Sequence, residues 1–312
     1  MENIILEVSN FSYQYGEVQA VSDISFQVKK GEIFSFLGPN GAGKSTVINS
    51  LITLLPLQKG KVTIAGYDLG SEKARVRESI GIVFQKSTLD KDMTVAETLD
   101  FHGDIYQMPH EDKKKRIREL LLLVELTGKA DSLVSSLSGG MKRRLEIARG
   151  LMTRPKLFFL DEPTIGLDPQ TRQKTWEYLR SVNNEGTTIF LTTHYMDEAD
   201  ILSDRIALID HGSIIISGTP SELKASLGND VIYLETSDNT NANRILIGMQ
   251  GIREMRMYEG KLLITSEQDG TRLLPDIFHK ICENGIDVLA VNLKKPNMDD
   301  VFLHYTGSEM RD

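Results

Sequence analysis

The stretch IFSFLGPNGAGKSTVINSLITLL (33–55) decides how the chain is read. IFSFLG (33–38) is a nearly continuous apolar run that stops at a glycine, the pattern of a buried parallel strand. KSTVINSLITLL (44–55) then places its apolar residues at helical spacing. Between them, GPNGAGKS (38–45) fits G-x-x-x-x-G-K-[ST], the phosphate-binding loop that belongs between a strand and a helix. Gly38 and Asn40 lie within this loop, and Gly41 and Gly43 let backbone N–H groups turn toward a phosphate without a Cβ in the way. The helix beginning near Lys44 directs its partial positive end at the same anion. Lys44 is suited to neutralise β- and γ-oxygens, Ser45 to give a hydroxyl to Mg²⁺, and Thr46 to reach the α-phosphate.

A second stretch carries chemistry. LFFLDE (157–162) sets four apolar residues before two acids at the C-terminal end of a predicted strand, where ligands of parallel sheets sit. Asp161 is suited to hold Mg²⁺, mostly through water, and Glu162 to orient and deprotonate an attacking water. Both acids could equally cap the turn at Pro163; alone, the residues leave the two readings open.

Around these motifs, strands and helices alternate. IILEV (4–8) and AVSDISFQV (20–28) have strand alternation, closed by the turn KKGE (29–32). Helices are predicted over 72–80, 94–106, 111–126 and 169–184, and a further buried strand at TIFLTTH (188–194). IALIDHGSIIISG (206–218) reads as a hairpin over Asp210–His211–Gly212. The fold class is α/β, with a mostly parallel sheet covered on both faces. SGTPSELKASLGND (217–230) reads as a boundary, giving domains 1–224 and 225–312. In the second, VIYLET, REMRMYEGKLLITSE and DVLAVNL are strand-like, with helices at NANRILIGMQ and GTRLLPDIFHKICENG. That β-α-β-β-α-β order matches a ferredoxin-like α+β unit, and PNMDDVFLHYTG (296–307) forms a short final helix capped by Asn297.

Composition sets bounds. The 312 residues carry 36 Lys+Arg against 44 Asp+Glu, a net charge of −8, which argues against a general binder of nucleic acid or anionic membrane. Of this, −5 falls in residues 225–312 (14 acids, 9 bases). A single cysteine, Cys282, can form neither an internal disulfide nor a multi-cysteine zinc site, so a reducing compartment is expected. The apolar run LLLLVEL (120–126) falls far short of the roughly 20 residues of a membrane span. MENIILEVSN has Glu2 and Glu7 where a secretory leader would be basic. A cytosolic protein is expected. The basic runs KKKRIR (113–118) and Lys142–Arg143–Arg144 read as solvated helix faces.

LSGGM (137–141), some 20 residues before LFFLDE, resembles the signature of ATP-binding cassette (ABC) ATPases. Other motifs of that family follow in order: Tyr15–Gly16, the loop GPNGAGKS, Gln85 after GIVF, IGLD (165–168), and His194 after a strand. The resemblance covers about residues 2–220 and implies a P-loop NTPase (RecA-like) core with an antiparallel β region and a helical insert over about 86–155. It implies that Tyr15 stacks on adenine. It implies that Ser138, Gly139 and Gly140 donate hydrogen bonds to the γ-phosphate of a nucleotide held by another subunit, in a head-to-tail homodimer with two ATP molecules. Gln85 would touch Mg²⁺ and the attacking water, Asp168 would carry signals between the two sites, and His194 would contact the γ-phosphate. The family usually ends its signature in Gln where this chain has Met141; the Ser and both glycines remain.

TTHYMDEAD (192–200) and NMDDVFLHYTG (297–307) are similar to the daunorubicin-resistance-type branch of type-2 ABC exporters, whose ATPases carry a C-terminal domain of this size. The resemblance implies ATP hydrolysis driving export, with two copies docked on integral-membrane permease subunits near Gln85 at the inner face of the cell membrane. The competing class is a soluble ABC ATPase acting on nucleic acid or ribosomes. Such proteins typically have two cassettes, a long coiled coil or cysteine-rich modules; this chain has one cassette and one cysteine. No nucleic-acid partner is expected.

Overall fold

The computed structural model describes residues 3–307; Met1, Glu2 and 308–312, which the sequence reading put at the ends of the two domains, lie outside the described residues. The chain forms two compact units that divide between Ser217 and Gly218. The division falls seven residues before the expected 224/225 boundary. The helix at Pro220–Ala225 is the reason: it opens on a capping box between Thr219 and Glu222 and packs on the final helix of the second unit.

The first unit opens with β1 (Ile4–Tyr15) and β2 (Val18–Lys29), followed by β3 (Ile33–Leu37) and α1 (Lys44–Leu51). Then come β4 (Lys59–Ile64), β5 (Tyr67–Asp68), α2 (Lys73–Ser79) and β6 (Ile80–Val83). Helices α3 (Val95–Ile105), α4 (His110–Leu123) and α5 (Gly139–Gly150) form the insert, within the predicted 86–155. β7 (Leu157–Asp161), α6 (Pro169–Asn184), β8 (Thr188–Thr193), α7 (Met196–Leu202), β9 (Arg205–Asp210) and β10 (Ser213–Gly218) complete it. A six-stranded sheet runs β10-β9-β3-β8-β7-β6, and its inner pairs from β9 to β6 are parallel. A second sheet, β2-β1-β4-β5, is antiparallel throughout. Helix α1 stops at Leu51, short of the predicted residue 55.

Strand alternation divides the core between two layers. On one side Phe34 and Phe36 of β3 and Leu157 and Phe159 of β7 pack with α1 and the antiparallel sheet. On the other, Ile33, Phe158 and Leu160 pack with the helical insert and α6. Phe36 and Phe159 stand 5.1 and 5.4 Å, ring to ring, from Phe190 of β8. The same parity sends Asp161, two residues past Phe159, toward the face that carries α1. That alternation positions the site.

The basic runs are not simply solvated. Lys113 of α4 is buried, laid against Gly103, with its ammonium 2.8 Å from Asp100 and 2.5 Å from Asp104 on α3. Arg116 donates to the Leu151 carbonyl at 2.7 Å. The insert is thus held by charge as well as by its apolar face.

The second unit follows with α8 (Pro220–Ala225), β11 (Asp230–Thr236), α9 (Asn239–Leu246), β12 (Ile252–Tyr258), β13 (Lys261–Ser266), α10 (Gly270–Glu283), β14 (Val288–Lys294) and α11 (Met298–Thr306). Its sheet, β12-β13-β11-β14, is antiparallel, with β13 between β11 and β12 in a split βαβ arrangement. Ile232 and Leu234 face α9 and α10, while Val231 faces Leu303 of α11. Asn297 caps α11 through a capping box with Asp300, whose carboxylate also accepts from the Tyr233 hydroxyl at 2.7 Å. Among the described residues, no helix is long and apolar enough to cross a membrane.

One titratable group of the insert makes stability depend on pH. Burial, aided by the charge of Arg149, pushes His102 of α3 down to about 4 from 6.5. The unfolded chain therefore binds this proton first as pH falls, and stability drops between pH 6.5 and about 4. His102→Gln is expected to flatten that part of the curve. Urea midpoints taken near pH 7 and about pH 4.5 check this, and equal acid losses in both proteins would contradict it.

Candidate active site

The loop before α1 has a backbone that only glycine suits at its last turn. Gly43 caps α1 with φ of 102°, and a Cβ there would sit 2.6 Å from the Ala20 carbonyl oxygen. No side chain caps α1, so its first N–H groups point out of the loop as donors for an anion. Residues 39–41 and 43–46 line a cleft of about 210 Å³ together with Ala20, Gln85 and Glu162. The loop residues read from sequence are thus brought together, with Gly38 at the back of the cleft through its bond to Lys44.

Lys44 is 4% exposed and lies across the loop, its Nζ donating to the Gly38 carbonyl at 2.6 Å and the Pro39 carbonyl at 3.0 Å. Glu162 Oε1 is 3.6 Å from the same nitrogen. Burial pulls the ammonium below its ordinary value, against the opposing pull of Glu162 and Asp161. Asp161 accepts from Ser45 Oγ at 3.4 Å and from Thr192 Oγ1 at 2.6 Å. Burial pushes its carboxyl up, and the neighbouring Glu162 charge adds to the rise. This is a buried carboxylate beside a hydroxyl at the mouth of a phosphate loop, an all-oxygen donor set that suits a small hard cation. Among the described residues, no cluster of three or more His, Cys, Asp or Glu could hold a metal alone, so phosphate oxygens would have to complete such a site.

Glu162 breaks the strand alternation. Its φ is +47°, and its N–H donates to both the carbonyl and the hydroxyl of Thr192, each at 3.1 Å. The side chain consequently shares the cleft with Lys44 instead of pointing to the opposite face. Gln85 Nε2 donates to Glu162 Oε2 at 3.0 Å, and His194 Nδ1 stands 3.3 Å from that oxygen without hydrogen-bond alignment. Gln85 and His194, just past two separate strand ends, and Lys44 at the start of α1 therefore converge on one carboxylate.

Other predicted residues stand apart. Ser138, Gly139 and Gly140 begin α5 and do not line the phosphate cleft. Ser138 accepts from the Met141 N–H at 3.3 Å as the N-cap. Gly140 also has a packing reason to lack a side chain, since a Cβ would meet Thr171 Cγ2 at 2.6 Å. Asp168 caps α6, accepting from the Thr171 N–H at 3.1 Å and hydroxyl at 2.6 Å. Tyr15, half-exposed at the end of β1, rests edge-on against Tyr13 at 4.9 Å and lies outside the cleft lining.

The structure also adds residues that the sequence reading missed. Thr192 anchors both acids; two threonines directly after the apolar run IFL of β8 were the available signal. Glu198 of α7, fully buried, accepts from Thr164 Oγ1 at 2.8 Å and Trp176 Nε1 at 2.9 Å, tying the loop after Glu162 to α6 and α7. Burial pushes its carboxyl up. Arg143, expected as part of a solvated face, is 6% exposed and points into the machinery. Its pairing with Glu146 one turn on gave no signal of an inward face, since such i,i+3 pairs equally mark a solvated helix surface.

Comparison with known proteins bears on this geometry. The ABC transporter family model matches residues 21–165, and the C-terminal domain of DrrA1-3-like ATP-binding proteins matches residues 218–306. The linearmycin resistance ATP-binding protein LnrL of Bacillus subtilis is 38% identical over 311 residues, covering 99% of this chain and all of that protein. The daunorubicin resistance ATP-binding protein DrrA3 of Streptomyces coeruleorubidus is 36% identical over 313 residues, covering 100% and 98% of the two chains. A solved ATP-binding cassette, dimeric in a post-hydrolysis state with ADP and Pi, aligns with a TM-score of 0.63 at 30% identity, over 69% of this chain and 98% of its own. The first unit is thus a P-loop NTPase cassette that binds ATP. The chain belongs to the ATP-binding subunits of ABC transporters, in their DrrA-type branch, and is an ATPase coupled to transport.

Proposed function

We propose that the chain hydrolyses ATP at a site completed by a second copy of itself and that closure of this dimer drives an export permease. The convergence of Lys44, Gln85 and His194 on Glu162 carries this reading. Glu162 takes a proton from water as the water oxygen bonds to the γ-phosphorus. The bond from that phosphorus to the β–γ bridging oxygen breaks, so ADP leaves and phosphate forms. Lys44 and the N–H groups at the start of α1 meet charge on the phosphate oxygens. Gln85 and His194 orient the carboxylate and the water from either side. Thr46 reaches the α-phosphate, and Tyr15 offers adenine an exposed aromatic face. Ser45, Asp161 and Gln85 would hold Mg²⁺ beside the β- and γ-phosphates, where it would offset phosphate charge.

The signature residues support the shared site. Ser138, Gly139 and Gly140 open a helix N-terminus outside the cleft of their own chain, so their N–H groups are available to the γ-phosphate of a second copy. Asp168 lies on the loop between Glu162 and α6, suited to relay the state of one site to the other. The relatives' names include drug-resistance ATP-binding proteins, which favours export. The chain would attach through a permease to the inner face of the cell membrane, using the groove beside Gln85. Its acidic balance suits a protein contact better than a lipid one.

Two variants test this reading. Glu162→Gln should lower turnover by roughly 10²–10⁴-fold and leave an ATP-bound dimer visible by sedimentation. Unchanged hydrolysis would remove Glu162 as the base. Lys44→Ala should cut ATP turnover by roughly 100-fold or more, read as phosphate release. Normal activity would sink the phosphate-loop assignment.

A further inference from the structure

Arg143 sits on α5, one turn past the signature residues, and none of its polar contacts goes to solvent-exposed groups. Its Nε donates to the Pro163 carbonyl at 2.6 Å, and Nη2 donates to the carbonyls of Asp161 at 3.1 Å and Glu162 at 2.9 Å. Nη1 donates to the Phe84 carbonyl at 2.6 Å and pairs with Glu146 at 3.1 Å. One planar guanidinium therefore holds three consecutive carbonyls around Glu162 and the carbonyl just before Gln85. Glu146 and Arg149, on the same face of α5, hold the far end of the Gln85 loop. Glu146 accepts from the Thr88 N–H at 3.3 Å, while Arg149 donates to the Thr88 carbonyl at 3.1 Å and hydroxyl at 2.5 Å.

This wiring is more than carbonyl satisfaction. Glu162 has a left-handed backbone directly after a strand, so its side-chain direction depends on what fixes residues 161–163. Thr192 fixes the N–H side of Glu162, and Arg143 fixes the carbonyl side. A small rotation there would move the carboxylate by a distance that matters for proton transfer. Because the same helix begins at Ser138, a shift of the signature end would reach Glu162 and Gln85 through rigid bonds.

We infer that the Arg143–Glu146–Arg149 face of α5 is a positioning element, with Arg143 setting Glu162 and the Gln85 loop in register with the signature end of its own helix. The inference rests on Glu162 acting as the base. Arg143 itself touches neither nucleotide nor water in this account. Its fork geometry, not its charge alone, is what lysine cannot reproduce.

The test uses the full-length chain. Arg143→Lys should lower kcat by roughly 10- to 100-fold while KM for ATP stays within about threefold and the melting temperature within a few degrees. In single-turnover measurements on a Glu162→Gln background, the same change should cost clearly less than in the parent, since the carboxylate it positions is gone and only the Gln85 loop is left for it to place. A folded Arg143→Lys protein with kcat within about threefold of the parent, or an undiminished loss in the Glu162→Gln background, would overturn the inference. Should Arg143→Lys fail to fold, Arg149→Lys, which cuts only the Thr88 contacts, is expected to lower kcat by roughly three- to tenfold at unchanged KM; an unchanged kcat would count against the proposal. The base assignment fails separately, if Glu162→Gln alone keeps its turnover.

Discussion

The Lys44 ammonium is buried within reach of two carboxylates, Asp161 and Glu162, at the end of β7, a strand otherwise wholly apolar. Burying one charge would be prohibitive; burying three together is tolerable only when each is paired and hydrogen-bonded. The surrounding structure supplies those bonds. Gly38 and Pro39 offer carbonyls to Lys44, Thr192 gives a hydroxyl to Asp161, and Gln85 gives an amide to Glu162. The net imbalance, two negative charges for one positive, favours a cation arriving with its phosphates. A protein that is itself acidic can thus accept an anionic nucleotide, because Lys44 and the uncapped start of α1 meet the phosphates locally.

That constraint explains the layering. The parallel sheet brings three strand ends to one edge, and the parity of β7 aims Asp161 at α1 while the strained backbone of Glu162 returns its carboxylate to the same cleft. The helical insert does not touch the cleft by its signature residues, yet α5 reaches it from behind through Arg143. One route from the insert to Glu162 lies within the chain, through buried hydrogen bonds; the proposed dimer would add a second between chains, through the helix N-terminus at Ser138.

The motif-bearing elements were readable because they are short and stereotyped in their physics. An apolar strand, a glycine loop and a helix can be recognised from IFSFLGPNGAGKSTVINSL alone, and LFFLDE announces acids at a strand end. The hairpin turn at Asp210–Gly212 was readable for the same reason, since His211 and Gly212 carry the positive φ values that such a turn requires. What escaped was long-range. Whether an arginine on a helix faces water or a neighbouring loop is set by tertiary packing, so Arg143 looked like one more residue of a basic run. Lys113 misled for a similar reason, because its apolar stem was given no weight beside its charge. The domain division was displaced because a turn-rich segment concealed α8, whose packing partner α11 lies some 75 residues downstream.

The central claim is that each ATP lies between the phosphate loop of one copy and the signature of another. Cross-linking between copies tests it directly, in a Cys282→Ser background that removes the chain's own exposed thiol. One preparation carries Asn40→Cys and another, differently tagged, carries Ser138→Cys; both positions are exposed. When the two are mixed, a thiol cross-link joining one tag to the other should form with ATP and fade when nucleotide is withheld. ATP-saturated chains that never link across copies would contradict the shared site.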